Sequence, residues 1–256
     1  MINTRGSSNM DEQDFWKRQV ERWSTLPFGK VVGHVRSADA LEWTDQELSR
    51  KWNLANIQGW KFAKWYLLHY ADKFRGKDVL DIGSGIGLDG IYLAQHGAHM
   101  VFSDIVPDNL RLLERICELK HIKAAFVLIE GPYAPDFGIM FDAIMSIGMV
   151  HHSPFELMKK EMETFTHYLK PGGTVALMAY PKERWEAHGK PSFEEFAVKT
   201  DWAGTPWSEW YDRDKMLRLF GDNFRMNWWK NFNDDKYAWF DLTKIRNGPK
   251  RYEGQE

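Results

Sequence analysis

The sequence predicts an α/β fold: a doubly wound, mostly parallel, seven-stranded sheet with a C-terminal antiparallel hairpin and an N-terminal helical cap. Short apolar runs alternate with amphipathic helical runs through the middle of the chain, the order expected of a parallel sheet covered by helices on both faces. A glycine loop follows the first of these runs. The last two strand-like runs are parted by Asn233, Asp234 and Asp235, a length and composition suited to a hairpin turn.

In chain order, KDVLDI (77–82) reads as a short buried strand, followed by the glycine loop and the helical run LDGIYLAQHG. HMVFSD (99–104) is the second strand, and Pro107 and Asp108 are placed to start the helix PDNLRLLERICELK. IKAAFVLIE is the third strand and FDAIMSIG the fourth. Ser153 and Pro154 open an amphipathic helix through Leu169, and the turn KPGG leads into the strand TVALMAY. The helix DRDKMLRLFGDN and the strands FRMNWWKNF and KYAWFDLTKI complete the pattern. The expected division is a helical cap or lid over 1–69 and a core over 70–256 with a lid insertion near 182–211.

With 256 residues, 43% hydrophobic and 27% charged, the chain suits one large globular domain with insertions better than two independent domains. A net charge of −2 argues against a surface built to neutralise many phosphates, so no nucleic-acid partner is expected. Lys61, Lys64, Lys73, Arg75 and Lys77 read as a solvated helix face. No apolar run approaches the ~20 residues of a membrane span. The N-terminal MINTRGSSNMDEQDF has no apolar signal core, so a cytoplasmic chain without a membrane partner is expected. Cys117 is the only cysteine, which excludes an internal disulfide and fits a buried thiol.

The chemistry begins at Asp81-Ile82-Gly83-Ser84-Gly85-Ile86-Gly87. In a doubly wound sheet ligands bind where the first strand passes into a helix, because backbone N–H groups are free there and glycine permits close approach. A dinucleotide fingerprint would need glycine or alanine at the position held by Leu88, so the NAD reading fails at its third glycine. Asp81, two residues before the first glycine, suits a ligand carrying an ammonium group.

VLDIGSGIG resembles the first motif of class I S-adenosylmethionine-dependent methyltransferases, and the resemblance continues in order from about residue 77 to 180, through SDIVPDNL, FDAIMSIGMVHHSP and LKPGGTVAL. It implies a Rossmann-like fold. It also implies S-adenosylmethionine as cofactor and S-adenosylhomocysteine as product; no metal is expected, because no carboxylate near the pair His151 and His152 has ligand spacing in the sequence and methyl transfer from a sulfonium does not require one. Asp81, Gly83, Ser84, Gly85 and Gly87 would then hold the cofactor, with Asp104 on the ribose hydroxyls, Ile105 on adenine and Ser146 nearby on the fourth strand. IEGPYAP departs from the family's usual Gly-Asp-Ala run; Glu130 falls there and reads equally as a cofactor contact or a solvated loop acid.

His151 and His152 follow the fourth strand and are expected to face the reactive end of the cofactor, where a histidine can take a proton from an attacking hydroxyl or ammonium. His151 is preferred as base because it lies nearer the strand end, and a hydroxyl acceptor is preferred over an amine. All 13 tryptophans fall before the first motif or after the fifth strand, which places aromatic surface in the cap and insertion. Most are expected to be structural, while Trp52, Trp207 and Trp210 are assigned to an acceptor pocket. The function expected is methyl transfer to a small molecule. The alternatives are a protein or nucleic-acid methyltransferase and a non-catalytic S-adenosylmethionine-binding module, and the sequence carries no signal for an oligomeric state.

Overall fold

The computed structural model describes residues 11–25, 27–29, 31–61 and 64–246. Residues 1–10, which carry most of the N-terminal run read above for a signal core, lie outside the described residues. Strands β1 (Asp78–Ile82), β2 (His99–Asp104), β3 (Ala125–Leu128), β4 (Phe141–Ile147), β5 (Leu169–Pro181), β7 (Phe224–Phe232) and β8 (Tyr237–Lys244) form one sheet in the order β3-β2-β1-β4-β5-β8-β7. The first five are parallel, and β8 runs antiparallel to both β5 and β7. An additional two-residue strand, β6 (Trp210–Tyr211), pairs with the end of β5 at Tyr180 and Pro181, too short to show a period in the sequence.

Alternation along the strands divides the core between the two faces of the sheet. Val79, Met100, Phe102 and Met145 join one apolar cluster. Their neighbours Leu80, Val101 and Ile144 join the other. The first face receives α3 (Asp45–Lys61), α4 (Trp65–Lys73), α5 (Gly90–Gln95) and α6 (Pro107–Leu119); the second receives α7 (Phe155–His167) and α10 (Arg213–Phe220). In α6 the fixed φ of Pro107 opens the helix, Asp108 sits in the first turn, and Leu112, Leu113, Ile116 and Cys117 form the buried face.

Two expectations are corrected. The boundary at 69/70 cuts through α4, whose Tyr66 stacks on Trp239 with centroids 4.4 Å apart and whose Tyr70 hydroxyl donates to the buried Asp241 of β8. Lys73 adds an ion pair to Asp241 at 3.2 Å, so α4 belongs to the core rather than to a cap. The KPGG turn is absorbed into β5 as an irregularity: the register with β4 slips between Phe141 and Ala143, and Gly172 takes the left-handed φ of +79° that the kink needs. Ahead of α4 lie α1 (Glu12–Trp23) and α2 (Ser37–Leu41), while α8 (Lys182–Ala187) and α9 (Phe193–Asp201) occupy the expected insertion.

Candidate functional site

Strand order reverses between β1 and β4, and the carboxyl ends of these two strands open onto a cavity of about 200 Å³. The loop after β1 forms its floor. Gly83 and Gly85 adopt φ of +71° and +53°, conformations in which a side chain is strained. A Cβ on Gly85 would meet nothing within 4 Å, so the backbone there faces open space. Gly85 N–H donates to Asp104 Oδ2 at 2.8 Å, and Val106 N–H donates to Oδ1 at 2.8 Å. Asp104 thus ties the end of β2 to the glycine loop at a point where its oxygens also line the cavity. Burial raises its carboxyl while these backbone bonds pull the other way.

A second cavity of about 120 Å³ shares Gly83, Gly85 and Pro27 with the first and adds Asp81, Ser84 and Asp89. Burial, reinforced by Asp89 and Asp104, raises the Asp81 carboxyl well above its ordinary range. Lys64 balances this acidic end with bonds to the Leu88 carbonyl at 2.7 Å and to Asp89 at 3.2 Å. Such a group of buried acids favours a cationic ligand.

Asp81, Gly83, Ser84, Gly85, Asp104 and Ile105 therefore converge on adjoining cavities, as the sequence predicts. Other expected residues lie elsewhere. A Cβ on Gly87 would fall 2.4 Å from Leu113, so this glycine serves the close packing of the loop against α6 and lines neither cavity. Ser146 is buried with its hydroxyl on the Ile82 carbonyl, bracing β4 on β1. Glu130 is exposed, and its neighbours Ile129 and Gly131 line the cavity in its place.

The histidines separate. His152 lines the cavity; its Nδ1 lies 3.1 Å from the Trp207 carbonyl, which can only accept, so Nδ1 carries the proton and Nε2 keeps a lone pair. His151 is sealed behind it, stacked on Tyr180 at 3.8 Å, with a buried Nδ1 that has no partner among the described residues. Burial, joined by His152 and Arg184, holds the His151 imidazole well below its ordinary value; burial also lowers His152. Both are neutral near pH 7. Ligand atoms of His151, His152 and Asp201 lie within 4.8 Å of one another. The Asp201 carboxylate already accepts from Tyr180, Thr200 and Ser208, and His152 Nδ1 is bonded, so these groups form a hydrogen-bonded brace in which His151 Nδ1 is unpartnered among the described residues.

The expected aromatic wall is also replaced. Trp52 donates to the Ile86 carbonyl at 2.9 Å, Trp207 donates to Glu209 at 3.0 Å, and Trp210 packs on Lys215; none lines the cavity. Trp16, Gln19 and Trp23 do, at the i, i+3 and i+7 spacing that puts them on one face of α1. Glu161 and Phe165 of α7 complete the far side. Glu161 was legible in principle: it is the acid inside the apolar stripe Leu157, Met158, Met162, Phe165.

Residues 79–173 match the family described as Methyltransferase domain, and the match spans β1 through the first part of β5, the strands that bear both cavities. The chain carries a class I S-adenosylmethionine-dependent methyltransferase domain. Similar proteins include phosphoethanolamine N-methyltransferase 1 of Zea mays, 35% identical over 132 residues that make up 48% of this chain and 23% of that protein. Another is a ubiquinone biosynthesis O-methyltransferase of Xylella fastidiosa, 35% identical over 106 residues, 39% of this chain and 40% of the relative. The chain thus spans less than half the length of either relative. Magnesium protoporphyrin IX methyltransferase from Synechocystis, solved with bound SAH, superposes with a TM-score of 0.61 at 16% identity over 91% of this chain and 97% of that one, a likeness of fold. Among the described residues no helix is long and apolar enough to cross a membrane.

Proposed function

We propose that the chain transfers the methyl group of S-adenosylmethionine to a small-molecule acceptor. The observation that carries this reading is the continuity of one cavity from the cofactor loops at Gly83, Gly85, Asp104 and Ile105 to His152, Ser153, Glu161 and the indoles of α1. When bound, the cofactor supplies an electrophilic methyl on a sulfonium. The chain's own contribution is placement: Asp81 and Asp89 attract the ammonium end, Asp104 accepts from the ribose hydroxyls, and Ile105 and Ile129 pack on the flat ring. Helix α1 lies across the cavity and excludes water from the reacting centre. The cover favours a small acceptor over a protein or nucleic-acid segment, which would need an open groove. With His151 shut off from the cavity, the preference for a hydroxyl over an amine loses the residue on which it rested, and the only histidine available to an acceptor is His152.

Gly85→Arg tests the reading. The new side chain enters the open space above the loop, so calorimetry is expected to find no S-adenosylhomocysteine binding while thermal unfolding remains cooperative. The wild type is expected to bind S-adenosylhomocysteine and not NAD. Unchanged affinity in the variant would overturn the placement of the cofactor.

A further inference from the structure

The far side of the cavity holds an acid that the cofactor does not need. Glu161 is 5% exposed on the apolar face of α7. The one hydrogen bond to its carboxylate among the described residues is long, Ser153 Oγ donating to Oε1 at 3.5 Å. The charged group that bears on it is another acid, Glu12 of α1. A buried carboxylate is normally paired, because its charge is costly to desolvate alone. Burial accordingly pushes this carboxyl up to about 8.

The walls beside it are Trp16 and Trp23, with Trp23 4.5 Å from His152. The described ionisable side chains lining the cavity are Asp104, His152 and Glu161, without a lysine or arginine. An acceptor bearing a phosphate or carboxylate would meet acids and indole faces. An ammonium would find a buried counter-charge and the π-surface of Trp16, while Trp23, whose ring already has the Arg22 guanidinium 5.3 Å from its centroid, closes the wall.

We propose that Glu161, with Trp16 and Trp23, is the acceptor subsite and receives the protonated nitrogen of a primary or secondary amine on an apolar body, on the basis that the same cavity seats the cofactor as proposed above. The bound ammonium gives a proton to the Glu161 carboxylate, which an ion pair has first drawn into its charged form. The freed nitrogen lone pair then takes the sulfonium methyl carbon as the carbon–sulfur bonding pair returns to sulfur. The products are a methylated ammonium and a thioether; Glu161 ends protonated, as it was before the bound ammonium displaced its proton to water, so one proton is released per methyl transferred.

Two isosteric pairs test this: 2-phenylethylamine against 2-phenylethanol, and tryptamine against tryptophol, each titrated into protein saturated with S-adenosylhomocysteine. In at least one pair the amine is expected to bind about 10–100-fold more tightly than the alcohol, the scale of a hydrogen bond to a charged group. In Glu161→Gln that gap is expected to close, with S-adenosylhomocysteine affinity unchanged. No amine preference in either pair, or a preference that survives Glu161→Gln, overturns the proposal. Should the variant not fold, the wild-type comparison decides alone. Absence of S-adenosylhomocysteine binding by the wild type would instead overturn the cofactor reading.

Discussion

Glu161 and the two histidines bring opposite pH signatures to the stability of the fold. Unfolded Glu161 loses its proton near its ordinary value of 4.5, and folded Glu161 near 8, so the folded state holds the extra proton between these values and stability falls as pH rises through that window. His151 and His152 are lowered, so they cost stability when pH falls below about 6.5, where the unfolded chain takes up protons first. Above that value Glu161 acts without them. Glu161→Gln is therefore expected to flatten the decline in stability between about pH 6.5 and 8, by up to about 1.4 kcal/mol per pH unit relative to wild type, as read from denaturant melts at several pH values. Parallel profiles would mean that the acid is solvated in the folded protein. The histidines are separated by turnover. If Glu161 handles the acceptor's proton, His152→Ala is expected to cost less than about tenfold in kcat, whereas a loss of 10²–10⁴-fold, the usual range for a general base, would return that role to His152 and favour a hydroxyl acceptor. His151→Ala is expected to lower thermal stability more than turnover, because the ring fills the core beside Tyr180.

Among the elements, α1 builds the wall of the cavity proposed to receive the acceptor. Gln19 donates to the His152 carbonyl, Arg22 Nε donates to Thr205 Oγ1 at 2.8 Å, and an Arg22 η-nitrogen donates to the Asp201 carbonyl at 2.5 Å. These bonds join α1 to the loop after β4 and to the insertion. They fix the face that carries Trp16 and Trp23. Arg22→Ala leaves the Asp201 carbonyl without this donor and removes a charged bond, a loss of about 1–3 kcal/mol. The expected outcome is a rise in acceptor KM of about tenfold or more with S-adenosylhomocysteine affinity changed little, because the residues proposed to hold the cofactor, Asp104 and the glycine loop, lie on other elements. Equal losses for cofactor and acceptor would show that α1 supports the whole cavity rather than one end of it.

For the whole molecule, the contact between α4 and β8 joins the helical N-terminal segment to the sheet. Trp239 is fully buried between Tyr66, Tyr70 and Trp65, and its indole N–H donates to the Tyr70 hydroxyl at 3.0 Å. Asp241, two residues on, gathers Tyr70, Lys73 and Asn227. Trp239→Ala is expected to cost about 3–5 kcal/mol and to lower a single cooperative transition in thermal unfolding, since the indole belongs to a core shared by both parts. Two separated transitions, with only one moved, would mean that the helical segment folds independently of the sheet.

Period, punctuation and order in the chain were sufficient for the doubly wound sheet. β2 falls on the residues that the apolar pattern picks out, because a buried strand must be apolar along its length, and β7, a largely exposed edge strand, is bounded by the turn residues after it. Asp81, Gly83, Gly85 and Asp104 were legible for a related reason: a ligand at a strand's carboxyl end requires a fixed local backbone, and local backbone is written in nearby residues. The acceptor side was not legible in this way. Trp16 and Trp23 lie far from Glu161 in sequence, and nothing local to them distinguishes an indole that lines a cavity from one that braces a loop, as Trp52 does. Likewise His151 and His152 are adjacent in sequence, yet the short 3-10 turn Val150–His152 sends one ring into the core and leaves the other on the cavity. The sequence by itself determined the fold and the backbone of the glycine loop; tertiary packing alone decided which side chains meet across the cavity, because those contacts join α1, α7 and the loop after β4, segments whose approach no local pattern encodes.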